Sequence, residues 1–191
     1  LERAHILAPS YKGLEIDVVY DSVKNYFDVG HPSVPSMGLD LEKYFSSIPH
    51  PEDHYYWLDY KNLTEGNKVQ SCSLLLSLVK KHHLADHIIV ESPDPFALTL
   101  FTENGFYTSY YIPGFNIETS SERELKNYYL EVKSQLLKSK VHALSCQASS
   151  LPFVEKYFSG MDILLWYGKE TKDLDYFLSL NYLTKKEKVI D

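Results

Sequence analysis

The chain is poor in cysteine, with only Cys72 and Cys146 among its 191 residues. So few thiols exclude a scaffold held together by disulfides, and they exclude a cysteine-rich zinc site. The count is compatible with one disulfide or with two free thiols. Because both residues lie in apolar segments, we expect two buried thiols.

Long apolar runs and an excess of positive charge are also missing. No stretch approaches the roughly 20 apolar residues that span a bilayer, so we expect no transmembrane segment. The formal net charge is −7, whereas binding to a nucleic-acid backbone depends on clustered lysine and arginine. We therefore expect no nucleic-acid partner, and we interpret the basic run Lys185–Lys188 as a solvated loop.

Glycine and proline are scarce, at 8 and 9 residues, whereas 44% of the residues are hydrophobic and 14% are aromatic. This balance excludes long disorder and is typical of a globular protein with a buried core. The length fits one domain, and no repeat or linker divides it, so we predict a single domain over residues 1–191. The chain opens with Leu1 rather than Met, so we expect a trimmed start, and the given sequence shows no signal peptide.

Short apolar strands alternate with helical segments along the chain. The candidate strands are Ala4–Leu7, Leu14–Val19, Tyr55–Tyr60, His87–Glu91, Thr108–Ile112, Val141–Cys146, Asp162–Trp166 and Lys188–Ile190. The candidate helices are Leu39–Phe45, Lys68–His82, Pro95–Asn104, Ser120–Lys138, Pro152–Phe158 and Lys172–Leu180. Ser121 and Glu124 have the spacing of a capping box, and Gly105 is a typical stop after a helix.

This alternation favours a parallel sheet, because parallel neighbours need long crossover connections. Eight strands predict a compact TIM-like (β/α)8 barrel, with a doubly wound open sheet as the alternative. One connection does not fit, since only about six residues separate the first two strands, too few for a helical crossover. Either the first strand is misassigned or residues are missing between His5 and Glu15.

The segment Leu14–Val19 carries two acids inside an apolar strand. Side chains alternate along a strand, so Glu15 and Asp17 point to one face, and Leu14 and Ile16 point to the other. Neighbouring carboxylates repel each other and are unfavourable to bury, unless a cation binds them. The pair predicts an oxygen site for Mg²⁺ or Ca²⁺, with an exposed strand edge as the alternative.

A second polar segment follows the strand around Trp57. Asp59 and Lys61 share one face near the strand end, where Asp59 could complete a hard-cation site and Lys61 could bind a phosphate oxygen. A surface ion pair is the alternative interpretation.

Two histidines are candidates for proton transfer, the role that histidine commonly fills near neutral pH. His31 follows a short apolar strand and Gly30, so a turn could place it over the barrel mouth. His5 lies on the first candidate strand. An ordinary satisfied polar residue is the alternative for each. Together with the acids and Lys61, they would meet where barrel enzymes place their active sites.

These segments resemble the phospholipase C-like phosphodiesterase superfamily, which includes the glycerophosphodiester phosphodiesterases and the sphingomyelinases D. The resemblance rests on Leu14–Val18, on Gly30-His31 and on Trp57–Asn62, whose order is similar to the family series E-x-D, H, D/E-x-K. Pro32 after His31 resembles the menorin-like branch, and Asp162–Trp166 resembles a late family strand that ends in a tryptophan near the substrate.

The resemblance implies a metal-dependent phosphodiesterase that cleaves a glycerophosphodiester or a phospholipid headgroup by acid–base catalysis. Glu15, Asp17 and Asp59 would bind one divalent cation, Mg²⁺ or Ca²⁺, and His5 and His31 would be the acid–base pair. Lys61 and Trp166 would bind the substrate, a small-molecule or lipid phosphodiester. We expect a secreted, periplasmic or membrane-anchored location over a cytoplasmic one.

The sequence also departs from the family pattern. Pro32 stands where many active glycerophosphodiesterases have Asp, and no Arg follows His5. A catalytically degenerate barrel that acts as a binding module is therefore the alternative. A third interpretation is a glycosidase that uses Glu91 and Asp59 as paired carboxylates across a cleft. Glu91, Tyr111, Gln147 and Trp166 are further candidates for the pocket lining.

Overall fold

The computed structural model describes residues 12–115, 117, 119–166 and the backbone of 189–190. Its strands are β1 (Gly13–Asp21), β2 (Tyr26–Val29), β3 (Tyr55–Tyr60), β4 (Ile88–Ser92), β5 (Tyr107–Tyr111), β6 (Ala143–Gln147), β7 (Asp162–Trp166) and β8 (Val189–Ile190). Its helices are α1 (Leu41–Ser47), α2 (Lys68–His82), α3 (Pro95–Glu103), α4 (Glu122–Leu136) and α5 (Leu151–Phe158). Two 3₁₀ turns, Pro51–Asp53 and Ala148–Ser150, precede β3 and α5.

The strands form one sheet in the order β2-β1-β3-β4-β5-β6-β7-β8. Only β1 and β2 pair antiparallel, as a hairpin, and the other neighbours are parallel. From β1 onward the spatial order follows the chain order with no reversal, whereas a doubly wound sheet reverses at a switch point. The described strands therefore have the order of a (β/α)8 barrel, as predicted, and not the doubly wound alternative.

The two faces of the sheet have different chemistry. In β1, Leu14, Ile16 and Val18 are buried, while Glu15 and Asp17 alternate with them on the opposite face. The apolar face packs against the helices. The largest fully buried side chains of the sheet, helices and loops are Tyr56, Tyr60, Tyr110, Phe27, Phe45, Phe101, Leu41, Leu58, Leu75, Leu84, Leu98 and Leu144. The helices thus cover the outside of the sheet and leave the polar face on the barrel side.

Local signals in the sequence set several element ends. Ser121 and Glu124 form the predicted capping box at the start of α4. The helix α3 begins at the N-cap Asp94 and is followed by Gly105 at φ +89°, a left-handed conformation that glycine adopts easily. Both cysteines are buried and free, as expected.

Most strand predictions agree with the structure to within one or two residues, the usual uncertainty at element ends. The predicted list of eight strands omitted β2, which pairs with the end of β1. The predicted strand Ala4–Leu7 and helix Lys172–Leu180 lie outside the described residues. In the part of the chain that is described, no helix is long and apolar enough to cross a bilayer.

Candidate active site

Three carboxylates converge in the first half of β1 and near the end of β3. Asp17 and Asp59 are directly opposite each other in the parallel ladder, and Glu15 lies two residues before Asp17 on the same face. One oxygen of each of these carboxylates lies within 4.8 Å of the others. The sequence prediction that acids from two strands would meet is therefore what the structure shows.

The surroundings of Glu15 and Asp59 disfavour the ionised form of each carboxylate. The Glu15 side chain is exposed among the described residues, but partial desolvation by its neighbours raises its pKa, and the nearby charges of Asp17 and Asp59 raise it further. Burial also raises the pKa of Asp59, although the hydrogen bond from Lys61 acts in the opposite direction. A cation among these oxygens would relieve both the repulsion and the loss of hydration. Three carboxylates also form the oxygen-rich donor set that Mg²⁺ and Ca²⁺ prefer, so the residues fit a divalent ion.

Lys61 lies against the same cluster, one residue beyond the end of β3. Its Nζ is 2.9 Å from Asp17 Oδ1, and it also donates to Asp59 Oδ2. Burial tends to lower the pKa of Lys61, but the hydrogen bonds to Asp59 and Asp17 outweigh it and raise this pKa. The ammonium group therefore stays charged and forms an ion pair with two of the three acids.

The hairpin of β1 and β2 brings His31 to this cluster. Gly30 has φ +153° and its N–H donates to the carbonyl of Asp17 at 2.9 Å, which fixes the chain beside the middle of β1. The His31 side chain is exposed, and its charge helps to lower the pKa of Asp59. His31 Nδ1 accepts from the Ser33 N–H at 3.1 Å. Nδ1 also lies 2.6 Å from Ser33 Oγ, so Nε2 is the ring nitrogen left for a substrate.

Glu91 is a fourth acid at this end of the sheet, and it is only 2% exposed. It is opposite Asp59 in the ladder between β3 and β4, and it accepts from Trp57 Nε1 at 3.1 Å. Burial, with the Asp59 charge as the next cause, raises the pKa of Glu91 to about 8. A glycosidase needs its two acids across a cleft, whereas Asp59 and Glu91 are neighbours on adjacent strands, so the geometry does not support that interpretation.

A cavity of about 550 Å³ reaches from Glu15, Trp57 and Trp166 to Lys12 and Tyr55 at the amino-terminal ends of β1 and β3. Glu15 is the only member of the carboxylate cluster that borders it. The Trp166 ring lies 5.9 Å from that of Tyr111. Its indole N–H is buried and has no hydrogen-bond partner among the described residues. The predicted substrate residue Trp166 therefore borders the same cavity as Glu15.

A second cavity, of about 530 Å³, lies at the amino-terminal ends of β4 and β5, where Leu84, Phe106 and His142 border it. None of the predicted site residues within the described chain borders it. In barrel enzymes the active site lies at the opposite, carboxyl-terminal end of the strands. The carboxylate cluster, and not this second cavity, is therefore the candidate active site.

Comparisons with known proteins show which solved structures share this fold. No protein-family model matches the chain, and no curated protein matches it in sequence. It is similar in structure to a glycerophosphodiester phosphodiesterase from Parabacteroides distasonis, with a TM-score of 0.63 and 17% identity, over 94% of this chain and 79% of that one. The chain has the fold of the phospholipase C-like phosphodiesterases. This fold confirms the structural part of the resemblance seen in the sequence.

Two further solved structures share this phospholipase C-like fold. One is a phosphodiesterase from Oleispira antarctica in complex with the product sn-glycerol-3-phosphate, with a TM-score of 0.63, 13% identity, and coverage of 99% of this chain and 84% of that one. The other is a glycerophosphodiester phosphodiesterase from Thermotoga maritima, with a TM-score of 0.57, 16% identity, and coverage of 92% and 80%.

The shared fold does not test some of the sequence predictions. His5 lies outside the described residues, so its distance to the carboxylates stays a prediction. The menorin-like detail at Pro32 also stays a prediction. Sequence reasoning named Glu91 as a possible pocket residue and as a glycosidase acid, but it did not predict burial, although the place of Glu91 in the apolar run Ile88–Ser92 was a signal of it.

Proposed function

We propose that the chain is a metal-dependent phosphodiesterase that cleaves a glycerophosphodiester or a phospholipid headgroup. The observation that carries this proposal is the convergence of Glu15, Asp17 and Asp59 with one lysine on the parallel pair of β1 and β3. The shared fold supports it, and so does the bound sn-glycerol-3-phosphate of the Oleispira antarctica enzyme. The substrate is thus a small-molecule or lipid phosphodiester.

The three carboxylates would hold one divalent ion, Mg²⁺ or Ca²⁺, which supplies charge neutralisation at the phosphate and polarises its oxygens. Lys61 is close enough to this position to bind a phosphate oxygen once its ammonium leaves the acids. Trp166 and Trp57 border the cavity and would contact the alcohol portion of the diester. Lys61, Trp57 and Trp166 would orient the phosphorus next to the His31 side chain.

Proton transfer falls to the histidines. An oxygen nucleophile, either water or a hydroxyl of the substrate, forms a bond to phosphorus while the bond to the leaving oxygen breaks. One histidine takes the proton from the nucleophile, and the other gives a proton to the leaving oxygen. We assign His31 Nε2 to one of these transfers and His5 to the other, so that the base and the acid act on opposite sides of the phosphate. Analysis of the product by phosphorus NMR distinguishes the two nucleophiles, because a substrate hydroxyl gives a cyclic phosphate and water gives a monoester.

The test is hydrolysis of glycerophosphocholine by the full chain with Mg²⁺ or Ca²⁺. Asp17→Asn and His31→Ala are each expected to lower kcat/KM at least about a hundredfold, the lower end of what one acid–base group contributes. Asp53→Asn and His50→Asn are matched controls on the surface turn before β3, and they should retain the activity. Turnover that survives both site substitutions contradicts the proposal. Metal binding without turnover favours the binding-module alternative.

A further inference from the structure

Lys61 contacts the groups that a divalent ion would use. Its ammonium nitrogen lies 2.9 Å from Asp17 Oδ1 and also contacts Asp59 Oδ2. One carboxylate oxygen of Asp17, one of Asp59 and one of Glu15 lie within 4.8 Å of one another. An ammonium and a divalent cation held by the same two carboxylates would lie close together, where like charges repel strongly. The two cations therefore compete for the cluster.

The charge of the cluster explains why the lysine is there. Glu15, Asp17 and Asp59 carry three negative charges when ionised, and Lys61 is the only basic side chain in ion-pair contact with any of them within the described residues. One ammonium neutralises a third of this charge and reaches two of the three acids. A divalent ion neutralises two thirds and can bind all three, so it is the stronger partner.

We propose that Lys61 is an internal counter-ion that a divalent cation displaces, and that this displacement delivers the ammonium to the phosphate of the substrate. The inference rests on the proposed function, and it deepens it by setting an order of binding. The lysine side chain is long and flexible, so its ammonium can move between the carboxylates and a phosphate. Metal binding first breaks its ion pairs with Asp17 and Asp59, and the freed ammonium then binds a phosphate oxygen.

The displacement of Lys61 couples the binding of the metal to the binding of the phosphate. A ligand that draws Lys61 away from the acids makes the cluster more available to the metal, and the metal makes Lys61 more available to the ligand. Such coupling is reciprocal for equilibrium binding. Loss of the lysine should therefore tighten metal binding, and it should weaken the effect of phosphate on that binding. Removal of any neighbouring positive charge would tighten metal binding, so the weaker effect of phosphate is the change that identifies the exchange.

Isothermal titration calorimetry of the full chain tests the exchange. Ca²⁺ and Mg²⁺ are each titrated into the wild type, Lys61→Met and Lys61→Gln, with and without sn-glycerol-3-phosphate as the probe, after circular dichroism has shown which variants fold. Lys24→Met, on the exposed turn between β1 and β2, is the matched control. We expect about tenfold tighter metal binding in the folded Lys61 variants, equal to about 1.4 kcal/mol. The probe should tighten metal binding more strongly in the wild type and in Lys24→Met than in the Lys61 variants.

The results that overturn the exchange are distinct from those that overturn the enzyme. Equal or weaker metal binding in the Lys61 variants refutes the displacement, as does a probe effect that is as large without the lysine as with it. Failure of every protein to bind either metal refutes it as well. Tighter binding in the Lys61 variants together with no hydrolysis by the wild type would leave the exchange standing and remove the proposed function.

Discussion

Replacing Glu91 by glutamine should make the protein less sensitive to alkaline pH. Glu91 is only 2% exposed and accepts a hydrogen bond from Trp57 Nε1. Glutamine has the same shape, and its amide oxygen can accept the same bond. The substitution therefore removes the ability to ionise while the packing around Trp57 is retained.

The direction follows from the proton affinity of Glu91. Its pKa is about 8 in the folded protein, raised from an ordinary value of 4.5 by burial and by Asp59. Below pH 4.5 both folded and unfolded states hold the proton, and the contribution of Glu91 to stability is complete. As pH rises toward 8 the unfolded state releases the proton first, so this contribution is progressively lost.

Each pKa unit corresponds to about 1.4 kcal/mol. A rise from 4.5 to about 8 therefore sets an upper limit on the order of 5 kcal/mol for the stability lost by the wild type between pH 4.5 and pH 8. Water that penetrates the site reduces this limit, so we expect a difference of roughly 2–5 kcal/mol between wild type and Glu91→Gln over that interval.

Urea unfolding, followed by tryptophan fluorescence at pH 5 and pH 9 in EDTA, measures this difference. EDTA removes divalent ions, whose binding would also change with pH. The other acids titrate in both proteins and cancel in the comparison. Glu131→Gln, on an exposed position of α4, is the matched control and should follow the wild type. The reasoning fails if the wild type and Glu91→Gln lose the same stability between the two pH values.

Three further outcomes follow from the packing and the caps. Phe101→Ala, at a fully buried position, should cost about 3–5 kcal/mol of unfolding free energy, and a loss below about 1 kcal/mol in urea unfolding would contradict the described core. Ser121→Ala removes the capping box of α4 and should cost about 1 kcal/mol, whereas an unchanged urea midpoint would show that the cap is not formed. Cys146 is 1% exposed, and burial raises its pKa to about 12, so iodoacetamide at pH 8 should modify it only after unfolding, and mass spectrometry of the native protein would reveal any earlier reaction.

The sequence predicted which acids lie together where the argument depended on strand geometry alone. Glu15 and Asp17 share a face because side chains alternate along β1, and Asp59 meets them because β1 and β3 are parallel neighbours in register. Both facts follow from short-range patterns and from the alternation of strands with helices.

The sequence did not predict features that depend on side-chain conformation or on short local pairing. The position of Lys61 between Asp17 and Asp59 is a choice among rotamers of a long side chain, and only the assembled site selects it. The strand β2 has just four residues, too few for a clear period. The asparagine at position 25 was the sequence signal of the hairpin turn that precedes β2, and it adopts φ +53° there.

The tip of the β1–β2 hairpin offers a convenient place for a spectroscopic label. Val23 is 93% exposed, and the Asp21 side chain accepts hydrogen bonds from the Val23 and Lys24 N–H groups, so the turn does not depend on the valine side chain. Because both native cysteines are buried, a cysteine introduced at position 23 would be the accessible thiol of the described surface. A nitroxide attached there could measure its distance to a bound Mn²⁺ without altering a residue of the carboxylate cluster.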